Sequence, residues 1–232
     1  MTEREMLIEF ERRVQISDPN TELAGKLSSD AIFTFLNAGK DKFVKTRYSG
    51  LNIKGTGFEV TQKRIDDLRS LVTIADFSSI VDNTITLPID YMFTLGETAG
   101  ITSSSPCWPK VLTVPVVKYT DVLEGTIESI DEMLQNSLSA HRLRLNRAKP
   151  IRLYQGNTIK LYTDGNYTIS NYKLTYLRHP NKLGDPTKTN VEYTDLPKHT
   201  HSEIVNLALQ HYMATKGSQQ IQVFANEVNT ME

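Results

Sequence analysis

The residue types best suited to chemistry fall at His199-Thr200-His201-Ser202-Glu203, at Ser103-Ser104-Ser105-Pro106-Cys107 and at Gly55-Thr56-Gly57. Two histidines and a glutamate close together are a metal-ligand inventory. Ligands that share a helix face, however, sit three or four residues apart. His199 and His201 are two apart and diverge, and His141 and His211 add no fixed spacing. The cluster therefore reads as a helix start, with Thr200 and Glu203 as a capping box that satisfies backbone N–H groups of the first turn. The serines and Cys107 lack a Gly-x-Ser-x-Gly elbow, and nothing in the chain nominates the base that such a nucleophile needs. Gly55 and Gly57 lack the third glycine and the preceding strand of a dinucleotide site, and no Gly-Lys-Ser/Thr phosphate loop occurs. Asp66, Asp67, Asp121 and Asp131 read as solvated helix faces. The expectation is a protein that is not an enzyme and has no cofactor and no metal.

Charge is more informative than any motif. The chain of 232 residues has a formal net charge of -1, which argues against a dedicated nucleic-acid binder. The distribution is polarised, though. Between Asp121 and Glu132 the charged residues are Asp121, Glu124, Glu128, Asp131 and Glu132, all acidic. Between Arg142 and Lys182 they are Arg142, Arg144, Arg147, Lys149, Arg152, Lys160, Asp164, Lys173, Arg178 and Lys182, with only Asp164 breaking the basic run. Such polarity suits head-to-tail packing of subunits as well as contact with DNA. The candidate interface residues are Arg142, Arg144, Arg147, Lys149 and Arg152 on the basic side and Glu124, Glu128 and Asp131 on the acidic side. Ile221 and Phe224, apolar anchors in the polar tail after Gly217-Ser218, join them. Tyr154, Tyr162, Tyr167, Tyr172 and Tyr176 alternate with Lys and Arg, as in a single-strand stacking platform. Tyrosine is equally a strand and interface residue, and sheet packing or a protein interface is the stronger reading.

The elements that must position these groups begin as helices. Thr2 and Glu5 form a capping box before Met6, Leu7, Phe10 and Val14, and Asp18-Pro19 ends that run. Ser28, Ser29 and Asp30 open a second helix carrying Ile32, Phe35, Leu36 and Phe43, with glycines at 50, 55 and 57 beyond it. Ile65, Leu68, Val72 and Ala75 predict a third. After about Ser79 the pattern turns to strands: Thr84–Pro88, Tyr91–Leu95, Val111–Tyr119, Ile151–Tyr154, Thr158–Tyr162, Tyr167–Ile169 and Tyr172–Arg178. Thr102–Pro109 and Asn181–Thr194 read as loops. Leu123–Leu138 carries a helical stripe of Ile127, Ile130, Leu134 and Leu138. Gly156-Asn157 and Asp164-Gly165 are dipeptides that favour tight hairpins. Leu196-Pro197 leads to a final helix with Ile204, Val205, Ala208, Leu209 and Tyr212.

A chain of this size can bury a core without staples, and one cysteine cannot form an internal bridge. The free thiol points to a reducing compartment. No stretch reaches about 18 unbroken apolar residues, and the charged N-terminus lacks a signal peptide's apolar run. The expectation is a protein made and used without crossing a membrane. Without secretion, the Asn166-Tyr167-Thr168 acceptor pattern carries no meaning.

Tyr172-Lys173-Leu174-Thr175-Tyr176-Leu177-Arg178-His179-Pro180, then Leu196-Pro197 and His201-Ser202-Glu203-Ile204-Val205, resembles a recurring signature of virion structural proteins of crAss-like bacteriophages. There a strand ends in Tyr-Leu/Ile-Arg-x-Pro, and a loop leads to Leu-Pro and a His-x-Glu-Ile-Val helix. Glu11-Arg12-Arg13-Val14-Gln15 to Asp18-Pro19, followed by Ser29-Asp30-Ala31-Ile32, is similar to their opening. The resemblance implies a head–tail connector ring protein, a portal adaptor that combines a helical bundle with a β domain. It implies a homo-oligomeric ring, commonly twelve-fold. Its partners would be the portal protein, adjacent neck and tail ring proteins, and the genomic DNA passing through the channel. It implies a place at the head–tail junction of the virion, after assembly in the host cytoplasm, and no catalytic residues.

The expected fold class is α+β: a helical domain of residues 1–82 plus 198–232, with a β-rich domain of 83–197 inserted. Alternative functions are another tail or neck protein such as a terminator, a nucleic-acid-binding accessory protein and, least supported, a phage hydrolase.

Overall fold

Thr2 and Glu5 start the first helix by reciprocal capping: the Thr2 N–H donates to Glu5 Oε2 at 2.9 Å and the Glu5 N–H to Thr2 Oγ1 at 3.2 Å. The computed structural model describes residues 1–17, 27–49, 62–78, 80–111, 114–185 and 190–216. The chain opens with α1 (Glu3–Ser17), α2 (Ser29–Ser49) and α3 (Gln62–Leu68). Then follow β1 (Val72–Phe77), β2 (Thr84–Thr86), β3 (Tyr91–Thr102), β4 (Lys110–Val111), β5 (Val114–Pro115), β6 (Lys118–Asp121) and β7 (Leu123–Glu124). A short α4 (Ile130–Gln135) precedes β8 (Ile151–Gln155), β9 (Thr158–Tyr162) and β10 (Thr168–Arg178), and α5 (His201–Lys216) comes last. The fold is thus α+β, with a β-rich centre and a C-terminal helix. It divides into two units, Met1–Leu71 with Pro180–Glu232, and Val72–His179.

In the helical unit, Met6, Phe10 and Val14 of α1 are fully buried with Leu36 and Val44 of α2 and Ile204, Val205 and Ala208 of α5. Phe10 stacks on Phe35 and meets Tyr212 edge-on, with ring centroids 6.4 and 6.0 Å apart. Gly39 lets the backbones of α2 and α5 touch: a Cβ there would stand 2.7 Å from the Ala208 nitrogen. Lys40 is buried on α2, where burial pulls its pKa below the usual lysine range. Its ammonium donates to Asn181 O at 2.7 Å and Asn37 Oδ1 at 3.0 Å, tying the 180–183 segment to the helix.

The β unit holds two four-stranded sheets, in the orders β1-β10-β3-β6 and β2-β9-β8-β7. All pairs are antiparallel except β7 with β8. The chain passes from one sheet to the other at Val122, between β6 and β7. Ile101, Leu174 and Tyr172 of the first sheet share one core with Ile85, Ile159 and Leu161 of the second, and Trp108 joins them. Tyr167 and Tyr176 are also buried there, so three of the five tyrosines fill a core and cannot stack on bases.

Several elements differ from the sequence reading. Val72 and Ala75 do not extend a third helix: α3 stops at Leu68, and Val72–Phe77 pairs with β10 from Val72↔Leu177 to Phe77↔Tyr172. The β-branched run Val72-Thr73-Ile74 suits a strand, and ten ladder positions on β3 already hold the other side of β10. The units therefore divide at Leu71/Val72 and His179/Pro180, where the sequence suggested 82/83 and 197/198. The helix expected over Leu123–Leu138 is only the six residues of α4, and Ile127 and Leu138 stand in solvent. Tyr167–Ile169 and Tyr172–Arg178 lie on one continuous stretch, β10 taking up an irregularity between Ile169 and Asn171. Gly156, at φ 61, does turn the β8–β9 hairpin. Asp164-Gly165 instead leads from β9 in one sheet to β10 in the other, and the Asp164 carboxylate accepts the Leu143 and Asn166 N–H groups at 2.7 and 3.0 Å. Asp18-Pro19, the glycines at 50, 55 and 57, Gly217-Ser218, Ile221 and Phe224 lie outside the described residues.

Candidate functional site: a cationic cleft on the β unit

The expected capping box at α5 does not form. Thr200 Oγ1 donates to Pro197 O at 2.8 Å, and Glu203 turns to Arg47, with Oε2 2.5 Å from a guanidinium nitrogen. Arg47 also lies 3.1 Å from Asp67, which is 0% exposed and is no solvated helix face. His199 Nε2 sits 2.7 Å from the same Asp67 carboxylate, so α2, α3 and the start of α5 are joined through one buried charge cluster. His201 points elsewhere: its Nε2–H donates to Leu196 O at 3.1 Å, leaving Nδ1 to accept from the Met1 ammonium at 2.9 Å. Among the described residues no three His, Cys, Asp or Glu side chains are placed to hold a metal ion.

The basic segment builds the more suggestive site. After α4 the chain turns back through Ser137–Lys149. Six residues of helix leave most of their carbonyls without an intrahelical partner. Arg142 meets that need, donating to Leu134 O at 3.0 Å and Asn136 O at 3.2 Å, and Arg144 donates to Ser137 O at 3.0 Å. Cations at a helix C-terminus also complement its dipole. Arg144 and Arg147 then close a two-residue turn through reciprocal backbone bonds of 3.0 Å, with Leu145 and Asn146 between them. Leu145 has φ 53, a left-handed value at the first central position of the turn, where glycine is favoured. For a leucine this costs about 1–2 kcal/mol. The residue is nevertheless 78% exposed, so packing of its side chain does not repay the strain.

These residues wall a surface cleft with a volume of about 740 Å3. Buried Ile101 and Ala148 are part of its lining. Five cations contribute to it, Lys118, Arg142, Arg144, Arg147 and Lys149, and no carboxylate does. Lys149 pairs with Asp121 at 2.9 Å, an exposed contact that contributes little. Arg147 has no side-chain hydrogen bond or ion pair among the described residues. Tyr119 at 65%, Leu138 at 76% and Leu145 at 78% exposure stand among the cations. The lining offers no imidazole or carboxylate as a general base. What the cleft can do is hold an anionic partner that also presents apolar side chains.

Four of the five basic candidates, Arg142, Arg144, Arg147 and Lys149, thus meet in one place. Arg152 does not. It is 8% exposed and turned inward, with Nε 2.6 Å from Glu97 and a terminal nitrogen 3.3 Å from Glu124. Its guanidinium lies 4.4 Å from the Tyr154 ring centre. The reason is strand alternation, which sends Arg152 of β8 toward the sheet that carries Glu97. Glu124 is thereby engaged within its own chain, while Glu128 and Asp131 are exposed at the start of α4, without ion pairs among the described residues. Lys118, Tyr119, Leu138 and Leu145 were missed in the sequence. The one available signal was an apolar residue inside Arg144-Leu145-Asn146-Arg147, where a turn is normally polar. No helix among the described residues is long and apolar enough to cross a membrane. Comparison with protein-family models and with curated proteins gives no match to this chain.

Proposed function

We propose that this chain is a structural subunit of a phage head-to-tail connector, assembling into a ring beneath the portal around the DNA channel. The observation that carries the assembly part is the cleft, in which five cations without a lining carboxylate surround three exposed apolar side chains. A surface of that composition favours a protein partner, since fully hydrated phosphates gain nothing from Leu138 and Leu145. The motifs from Tyr172 to Pro180 and from Leu196 to Val205 support the connector part by their resemblance to virion structural proteins of crAss-like phages. The same cations lend support to a second reading, a nucleic-acid-binding accessory protein. Purified particles of the phage that encodes the chain separate the two. The connector reading expects the protein in the particles at a fixed multiple per portal, with labelled antibody binding at the head–tail junction. Its presence in infected cells but absence from particles would favour the accessory protein.

A further inference from the structure

We infer that the occupant of the cationic cleft is the acidic turn Thr126–Glu132 of a second copy of this chain, an inference that rests on the assembly reading above. The turn and the cleft are complementary in charge and in apolar surface. Ile127 is 77% exposed, and Glu128, Asp131 and Glu132 are exposed without ion pairs among the described residues. Facing them would be Arg147, which has no side-chain partner among the described residues, beside Arg142 and Arg144, with Leu138 and Leu145 to receive Ile127.

The local build places the two surfaces at opposite ends of α4, a helix of six residues about 9 Å long. No ion pair joins them within one copy among the described residues. A contact in which one end of a molecule meets the other end of the next is heterologous. Repetition of such a contact closes into a ring when the rotation permits, and otherwise gives open chains. The left-handed backbone of Leu145 fits this contact, because backbone strain at an exposed residue is retained where an assembled state uses it.

The test is cross-linking between separate copies. Ile127→Cys and Leu145→Cys are made singly in a Cys107→Ser background and mixed under mild oxidation. Both sites are exposed, so the fold is not at stake, and circular dichroism melts verify it. The mixed pair is expected to form a disulfide-linked dimer that the fully exposed control Ile89→Cys does not form with Leu145→Cys. Arg144→Glu with Arg147→Glu should lower the yield about tenfold, and Glu128→Arg with Asp131→Arg on the other copy should restore it. Rings without the cross-link and insensitive to charge reversal would overturn this contact and leave the ring reading standing. Cross-linked, charge-sensitive open chains would uphold the contact and remove the closed ring. Loss of DNA retardation on charge reversal, with assembly unchanged, would make the cleft a nucleic-acid site and overturn the inference.

Discussion

Glu97 and Arg152 join the two sheets of the β unit through a buried ion pair, with Glu97 Oε2 on β3 2.6 Å from Arg152 Nε on β8. The Tyr154 hydroxyl also donates to Glu97 at 3.2 Å. Burial pushes the Glu97 carboxyl above its usual range, and Arg152 pulls it back. Removing one partner leaves the other charge inside. Glu97→Ala should therefore destabilise the β unit by about 3–5 kcal/mol, while Glu97→Met with Arg152→Leu should cost much less. Urea denaturation of the two variants beside the parent chain checks this; a harmless Glu97→Ala would mean that the pair contributes nothing.

Leu145 separates fold from assembly. Leu145→Gly relieves the left-handed strain but adds backbone freedom to the unfolded chain, so stability should change by no more than about 1 kcal/mol. Self-association, measured by sedimentation, should nevertheless weaken. A strongly destabilised Leu145→Gly would show that the side chain holds its own copy together.

The crossing of α2 and α5 depends on Gly39. Gly39→Ala places a methyl within contact-breaking distance of the Ala208 backbone, and the helices must part. A loss of about 1–3 kcal/mol is expected from such overpacking, seen as a lower thermal midpoint. An unchanged midpoint would mean that the helices do not meet there in solution.

Stability should fall as pH drops below neutrality. Burial holds the His201 pKa below its usual value against the opposing hydrogen bond to Leu196 O, the Met1 ammonium adds to the lowering, and Glu192 opposes it. Burial and Arg142 do the same to His141 in the β unit. Above about pH 6.5 both rings are neutral in the folded and unfolded chain, and their native contacts are intact. Below it the unfolded chain takes up protons that the folded chain resists, so unfolding is favoured until the lower folded pKa is passed. Denaturation midpoints at pH 7.5, 6.5 and 5.5 should decline, and less steeply for His201→Asn. A flat profile would contradict the buried neutral tautomer.

What was legible in the sequence was local. The Thr2–Glu5 box and the Gly156-Asn157 hairpin rest on neighbours in the chain and formed as read. Val72–Phe77 was misread because its apolar spacing fits a helix, while the strand that claims it lies about a hundred residues away in β10. Glu203 fits a capping pattern, yet Arg47 outcompetes the backbone N–H for its carboxylate. The site shows the same division. The cluster Arg142–Lys149 was visible as composition, but Arg152 was drawn inside by Glu97, a partner that spacing cannot reveal. Arg142 and Arg144 proved to serve the carbonyls of their own helix end and turn as well as the cleft.

The proposed assembly is a closed ring. Native mass spectrometry of the purified protein over a range of concentrations, paired with negative-stain micrographs, measures this directly. A closed ring gives one dominant oligomer of fixed copy number and annular particles with a central channel, both reduced by Arg144→Glu with Arg147→Glu. A chain that stays monomeric at every concentration and retards DNA through the same arginines would contradict it.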